Sequence, residues 1–255
     1  MTPPRRAGGA RLHTRDEWVG LGDRAGAPDH RTLAEKAFIS LHEAILTGRL
    51  QPGERIPIED LAGALGMSPM PVREAVRRLD ALGLVENVPH KGARITELSI
   101  GDLTEIYEAR LALEPLAISR AARTFDAADE ERARATLASM RAEPPGSVGA
   151  WRAHSELHMT LYRAAGSAWL LRLIRPLWES SERYRLAMQP ITGSQHHVRP
   201  HEVLVRLCVQ HEPERAAAEL YDHLVTTANS LAVKLGGAPP FTPLGADGRA
   251  QVPAR

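Results

Sequence analysis

The chain holds 255 residues, enough for one large domain or two modest ones that each bury a core. Its formal net charge of +1 requires any nucleic-acid footprint to be local, and its single cysteine excludes an intramolecular disulfide. Neither an early apolar leader nor an apolar run long enough for a bilayer is visible, so a cytoplasmic protein with no membrane partner is expected.

Residues 1–30 mix Pro, Gly and both charge signs without periodicity and are expected to form a disordered arm. From Leu33 an apolar stripe of Ala37, Phe38, Leu41, Ile45 and Leu46 recurs at helical spacing and stops at Gly48, which predicts a first helix. "LQPGER" reads as a turn, and Ile58 to Leu65 as a short second helix ended by Gly66. Ser68 is placed to cap the next helix, and Pro69 and Pro71 suit its first turn, where backbone N–H groups have no intrahelical partner. With Val72, Val76 and Leu79 inward, Arg73 and Arg77 stand together on the outer face. Two short β-branched segments around Pro89-His90-Lys91-Gly92 then predict a hairpin with a basic tip.

Helix, short helix, sharp turn, arginine-bearing helix and basic hairpin compose a winged helix-turn-helix over residues 31–98, whose third helix enters a major groove. An abrupt helix start leaves N–H groups and arginines free for phosphates and base edges. Ser68, Arg73, Arg77, His90, Lys91 and Gly92 are therefore the candidate contacts to double-stranded DNA. The plainer alternative is a helical domain with solvated arginines, since residues 31–100 hold as many acidic as basic residues. The ordered series of turns together with the basic wing favours DNA.

The stretch from "AILTGRLQPGERI" through "LAGALGMSPMPVREAVRRLDALGLVENVPHKGARI" resembles the N-terminal domain of the GntR family of bacterial transcription regulators over nearly its full length. That resemblance implies a homodimer on a short palindromic operator. Many members carry Arg-Thr where this chain has Pro69-Met70, so one common DNA contact is missing, while Arg73 and the "HKG" wing are kept.

Residues 102–235 read as an all-helical bundle, with helices over 102–124, 127–141, 148–165, 168–189, 196–210 and 213–235, and no strand pattern. The fold class is thus mainly α, a winged helix-turn-helix domain plus a helical bundle. Residues 236–255 break helices repeatedly and are expected to form a disordered tail. In the first bundle helix the inward stripe Leu103, Ile106, Tyr107, Leu111 and Ile118 includes Arg110 and Glu114. Charges on such a face are unusual; these two can pair with each other, or Arg110 can hold a carboxylate in a bundle cavity.

His154 and His158 share a face with Leu157, Leu161 and Tyr162, His201 shares one with Leu204, Val205 and Cys208, and His223 sits between Leu220 and Leu231. A single inward histidine is ordinarily a satisfied core residue. Four on three inward faces predict a divalent metal site. Cys208 itself reads as core packing.

"YEARLALEPLA", "HSELHMTLYRAAGS" and "HEVLVRLCVQHEPERAAAELYDHL" resemble the FCD ligand-binding domain of the FadR-like branch of the same family. Many FCD domains hold a small carboxylic acid beside a metal bound by Asp or Asn and three histidines. His158, His201 and His223 fall on the histidine positions, and His154 falls where Asp or Asn is usual. An all-nitrogen set favours zinc or nickel over calcium or magnesium and leaves the site one negative charge poorer. It is equally open that His154 does not ligate.

The leading expectation is a metabolite-responsive repressor, not an enzyme, with a small carboxylic acid as effector held near the metal and Arg110. The alternative is a metal-dependent hydrolase on a histidine-rich bundle. "HSELH" suits it poorly, because Glu156 stands third where a zincin needs Glu directly after the first histidine. A constitutive DNA binder leaves the four inward histidines unexplained.

Overall fold

A computed structural model of the chain describes residues 32–46, 48–88, 92–144, 147–188 and 198–245. Two compact units divide it, Met1–Glu97 and Leu98–Arg255. The arm at 1–30, the wing-tip residues His90 and Lys91, and the end of the tail from 246 lie outside the described residues.

In the first unit, α1 spans Leu33–Leu46 and begins where Thr32 Oγ1 accepts the Glu35 N–H at 3.1 Å. Its inward stripe of Ala37, Leu41, Ala44 and Ile45 packs on α3. The short α2 covers Ile58–Ala64 and is followed by Gly66 at φ +64°, a left-handed turn that an L side chain would strain. Helix α3 runs Pro69–Ala81 with Val72, Ala75, Val76 and Leu79 fully or almost fully buried. Burying a valine or leucine side chain contributes about 1.5–3 kcal/mol, so Leu79→Ala, at a fully buried site, is expected to cost about 2–5 kcal/mol.

Ser68 does occupy the N-cap position of α3, with extended backbone, but its side chain makes no capping hydrogen bond. The prolines account for this departure from expectation. A cap accepts from the second or third helical N–H; the third residue here is Pro71, which has none, and only Met70 is left as a donor. Fixed proline φ angles, rather than a serine hydroxyl, start the helix. Strands β1 (Val85–Val88) and β2 (Gly92–Ile95) pair antiparallel, Val85 opposite Ile95 and Val88 opposite Gly92. Val85, Ala93 and Ile95 turn into the core beside Ile56, which anchors so short a hairpin.

The second unit contains α4 (Ile100–Thr124), α5 (Ala127–Ala142), α6 (Val148–Arg163), α7 (Ala168–Met188), α8 (Val198–Val209) and α9 (Pro213–Lys234). Side-chain caps set three of the starts: Ser99 accepts from the Asp102 N–H, Asp126 forms a capping box with Asp129, and Ser147 accepts from Ala150. Helix α4 lies against α9, α7 and α6, so its inward face meets most of the bundle. Leu103, Ile118, Leu157, Tyr162, Leu204 and Leu220 form the fully buried centre. Among the described residues no helix is long and apolar enough to cross a membrane.

The tail departs from expectation over 237–245. Asn229 on α9 accepts the Phe241 N–H at 3.1 Å and donates to its carbonyl at 2.8 Å. Asp222 accepts the N–H groups of Leu244 at 2.6 Å and Gly245 at 3.0 Å. These side chains supply the backbone partners that no helix or strand gives this Pro-rich segment, and the Phe241 ring packs on the bundle core.

Candidate metal centre and nucleic-acid interface

Three helices bring the four histidines together. His154 and His158 project from the same face of α6, one turn apart, while His201 comes from α8 and His223 from α9. One nitrogen from each lies within 4.8 Å of all the others, with His154, His158 and His201 buried and His223 half-buried. His158 Nε2 and His201 Nε2 are 2.9 Å apart. The cluster lines a small cavity together with Tyr107, Arg110, Trp178 and Arg185.

Burial pushes the His154 and His158 imidazoles well below their ordinary range, and positive neighbours, chiefly Arg185 for His154 and His201 for His158, push the same way. Neutral imidazole is the ligating form. His158 is further prepared by a relay: its Nδ1 is 3.0 Å from Tyr162 Oη, and that hydroxyl donates to Glu114 Oε2 at 2.5 Å. A tyrosine that gives its own proton away can only accept at the other side, so His158 carries its proton on Nδ1 and presents the Nε2 lone pair to the cluster. Four imidazoles, close together and with the His158 tautomer already set, fit a divalent metal.

Arg110, the expected effector contact, lines the same cavity and is 3% exposed. Its Nε and Nη2 bind Glu114 at 2.6 and 3.3 Å, and its Nη1 donates to Ser181 at 2.7 Å. Burial disfavours its charge, but Glu114 more than offsets that and holds the guanidinium protonated. Arg110 thus pairs with Glu114, and Glu114 in turn receives Tyr162, which ties the pair to the His158 tautomer. The guanidinium is also stacked between the rings of Tyr107 and Trp178, 4.7 Å from each centroid.

Sequence reasoning missed Arg185, Trp178 and Tyr107 as cavity residues. Arg185 Nη1 lies 2.8 Å from His154 Nδ1 and 2.8 Å from Glu182 Oε1. The signal for Trp178 and Tyr107 was only their inward periodicity; Arg185 had none, because it stands in the polar run "SSERYR".

On the winged unit, Arg73 and Arg77 are exposed on one face of α3, as expected. Arg73 Nη2 pairs with Glu59 Oε1 of α2 at 2.7 Å, both side chains being more than half exposed. Arg78 instead turns back, pairing with Glu35 at 2.8 Å and lying 4.1 Å over the Phe38 ring. Met70, 67% exposed in the first turn of α3, was not singled out from sequence. Gly92 is exposed and opens β2 at φ +80°, a conformation that leaves the wing little choice of residue there.

Two family models match the chain: bacterial regulatory proteins of the gntR family over residues 33–95, and the FCD domain over residues 105–226. Among curated relatives, the uncharacterized HTH-type transcriptional regulator BphR of Paraburkholderia xenovorans is 34% identical over 163 residues, 61% of this chain and 66% of that protein. A probable D-xylose utilization operon transcriptional repressor of Paenarthrobacter nicotinovorans is 39% identical over 144 residues, 55% of this chain and 63% of that protein. The chain therefore spans less than two thirds of the length of either relative. The solved structure of Escherichia coli McbR/YncC superimposes with a TM-score of 0.71 at 21% identity, covering 80% of this chain and 99% of the other, a likeness of fold. With a gntR domain followed by an FCD domain, the chain belongs to the gntR family of bacterial regulatory proteins.

Proposed function

We propose that the protein is a metabolite-responsive transcription regulator, a homodimeric repressor that leaves its operator when a small carboxylic acid binds beside a divalent metal in the helical unit. The observation that carries this reading is the cavity in which four imidazoles and two guanidiniums converge within the FCD domain. Zinc or nickel suits an all-nitrogen set, and His158, His201, His223 and His154 are the candidate ligands. The metal would supply a Lewis-acidic position for a carboxylate oxygen, and Arg110 lines the same cavity with part of its donor set left after Glu114 and Ser181.

DNA contact is assigned to the cap and outer face of α3 and to the wing: Ser68, Arg73 and Arg77, with His90, Lys91 and Gly92 of the wing. Met70 adds an exposed apolar group where a thymine methyl could be read. The hydrolase alternative loses support from the position of Glu156. That carboxylate is exposed and pairs with Arg163 at 2.7 Å, so it is not the base beside a metal, and Ser155 is taken up by the Trp178 indole at 2.9 Å. Elemental analysis of the purified protein, followed by titration of small acids against its complex with selected operator DNA, tests the proposal. A protein that takes up no divalent metal, or whose operator complex responds to no acid, overturns it.

A further inference from the structure

Arginine is only ever a hydrogen-bond donor, and Arg185 Nη1 lies 2.8 Å from His154 Nδ1 against 3.5 Å from Nε2, so the nearer nitrogen, Nδ1, is the acceptor and carries no proton. A neutral imidazole then carries its proton on Nε2, and neither nitrogen of His154 has a lone pair left for a metal. His158 is the reverse case: Tyr162 fixes its proton on Nδ1 and leaves Nε2 open toward His201. The two histidines of α6 are thus prepared for different tasks by their outer partners.

The two arginines of the cavity also differ. Arg110 commits its Nε and Nη2 edge, the one that matches a carboxylate, to Glu114. Arg185 commits only Nη1, which is shared between His154 and Glu182; among the described residues its Nε and Nη2 edge makes no hydrogen bond. Its side chain is 16% exposed against 3% for Arg110, and it lines the cavity. Two acceptors gripping one terminal nitrogen fix the plane of the guanidinium and pre-orient the remaining edge.

We propose that His154 is not a metal ligand but the acceptor that positions Arg185, that the metal is held by His158, His201 and His223, and that the free edge of Arg185 receives the carboxylate of the bound acid. This rests on the reading of the cavity as a metal-assisted acid site. It assigns to His154 and Arg185 together the recognition of the anion, and to the other three histidines the recognition of the metal.

The test uses full-length protein, zinc alone and acetate as a probe anion. In ¹⁵N-histidine-labelled wild type, zinc is expected to shift the imidazole nitrogens of His158, His201 and His223, while His154 Nδ1 keeps the signature of an unprotonated, hydrogen-bonded nitrogen. His154→Ala should hold one zinc per chain within about threefold of wild-type affinity, and His201→Ala should lose about tenfold or more. In zinc-loaded protein, acetate should raise the melting temperature, and Arg185→Lys should lose that rise while keeping zinc, because lysine offers charge without the planar fork. A zinc-induced shift of the His154 nitrogens, or a tenfold loss of zinc affinity in both His154→Ala and the acceptor-retaining His154→Gln, overturns the ligand assignment. An acetate response that is absent in wild type or unchanged in Arg185→Lys overturns the anion assignment. Failure of wild type to bind zinc or nickel at all is a different result, and removes the metal-assisted reading itself.

Discussion

The hydroxyl of Tyr162 donates to Glu114 across 2.5 Å while its oxygen stands 3.0 Å from His158 Nδ1, so one phenol fixes both a buried carboxylate and a histidine tautomer. Tyr162→Phe removes the acceptor for His158 Nδ1 and the donor to Glu114 with little change in volume. Metal affinity is expected to fall about 10–100-fold, as when an outer partner of a ligating histidine is lost. Folding stability should fall by about 1–3 kcal/mol, because buried polar groups are left unpaired. Zinc titration and urea unfolding of the same sample measure the two effects. Unchanged metal affinity would show that the relay does not set the ligand.

Arg110 and Glu114 form an ion pair with both side chains essentially removed from water. Such a pair adds little net stability, yet removing one partner strands the other charge. Arg110→Ala is expected to cost about 3–5 kcal/mol, and the double change Arg110→Met, Glu114→Leu to recover part of it. Denaturant midpoints decide the matter. A double variant no more stable than Arg110→Ala would mean that the stranded carboxylate is not the main cost, which then lies in lost packing against Tyr107 and Trp178 or in the Tyr162 hydroxyl that loses its acceptor.

The periodic elements were legible because each buries one stripe: α3 through Val72, Val76 and Leu79, α4 through Leu103, Ile106 and Tyr107. The histidine cluster was legible for the same reason, since imidazoles on apolar faces of three helices have nowhere to go but inward. Arg185 was hidden by the opposite pattern. "SSERYR" reads as a solvated helix face, yet Ser181, Glu182, Arg183 and Tyr184 are all buried, and Ser181, Arg183 and Tyr184 find partners distant in sequence in Arg110 and Asp102. Order in 237–245 was hidden likewise, for it depends on Asp222 and Asn229 meeting backbone groups that local propensity leaves open.

Arg73 pairs with Glu59 on an exposed surface, where such a bond is worth about 0–1 kcal/mol. Arg73→Ala should therefore leave unfolding nearly unchanged while costing about 1–3 kcal/mol of operator affinity per half-site. Glu59→Ala releases the guanidinium and should hold or improve affinity. Lys91→Ala should weaken binding across sequences and flatten its salt dependence, the mark of a phosphate contact. Anisotropy titrations at several salt concentrations, on DNA selected by the wild type, separate these outcomes. Equal operator affinity in wild type and Arg73→Ala would remove that residue from the interface.

Burial, with a smaller push from Asp129, raises the Cys208 thiol to about 12. At pH 8 almost none is thiolate, the reactive form. Iodoacetamide is expected to label native protein at pH 8 far more slowly than protein in denaturant. Comparable rates would contradict its place in the bundle core.

If the acid releases DNA, it must bind the DNA-free arrangement more tightly than the DNA-bound one, and linkage then fixes the reverse effect. An acid that lowers operator affinity tenfold must itself bind the operator complex tenfold more weakly, a coupling of about 1.4 kcal/mol within the usual range of about 1–3 kcal/mol. Both directions are measurable: operator titrations at saturating acid, and calorimetric titration of acid into protein with and without DNA. Stripping the metal should abolish the response while leaving acid-free operator binding largely intact, since the candidate DNA contacts lie in the winged unit and the cluster in the helical one. Acid-driven release that is identical in metal-free protein would place the effector elsewhere than beside the histidines. Unequal factors in the two directions would mean that the acid and the operator are not reporting the same two-state equilibrium.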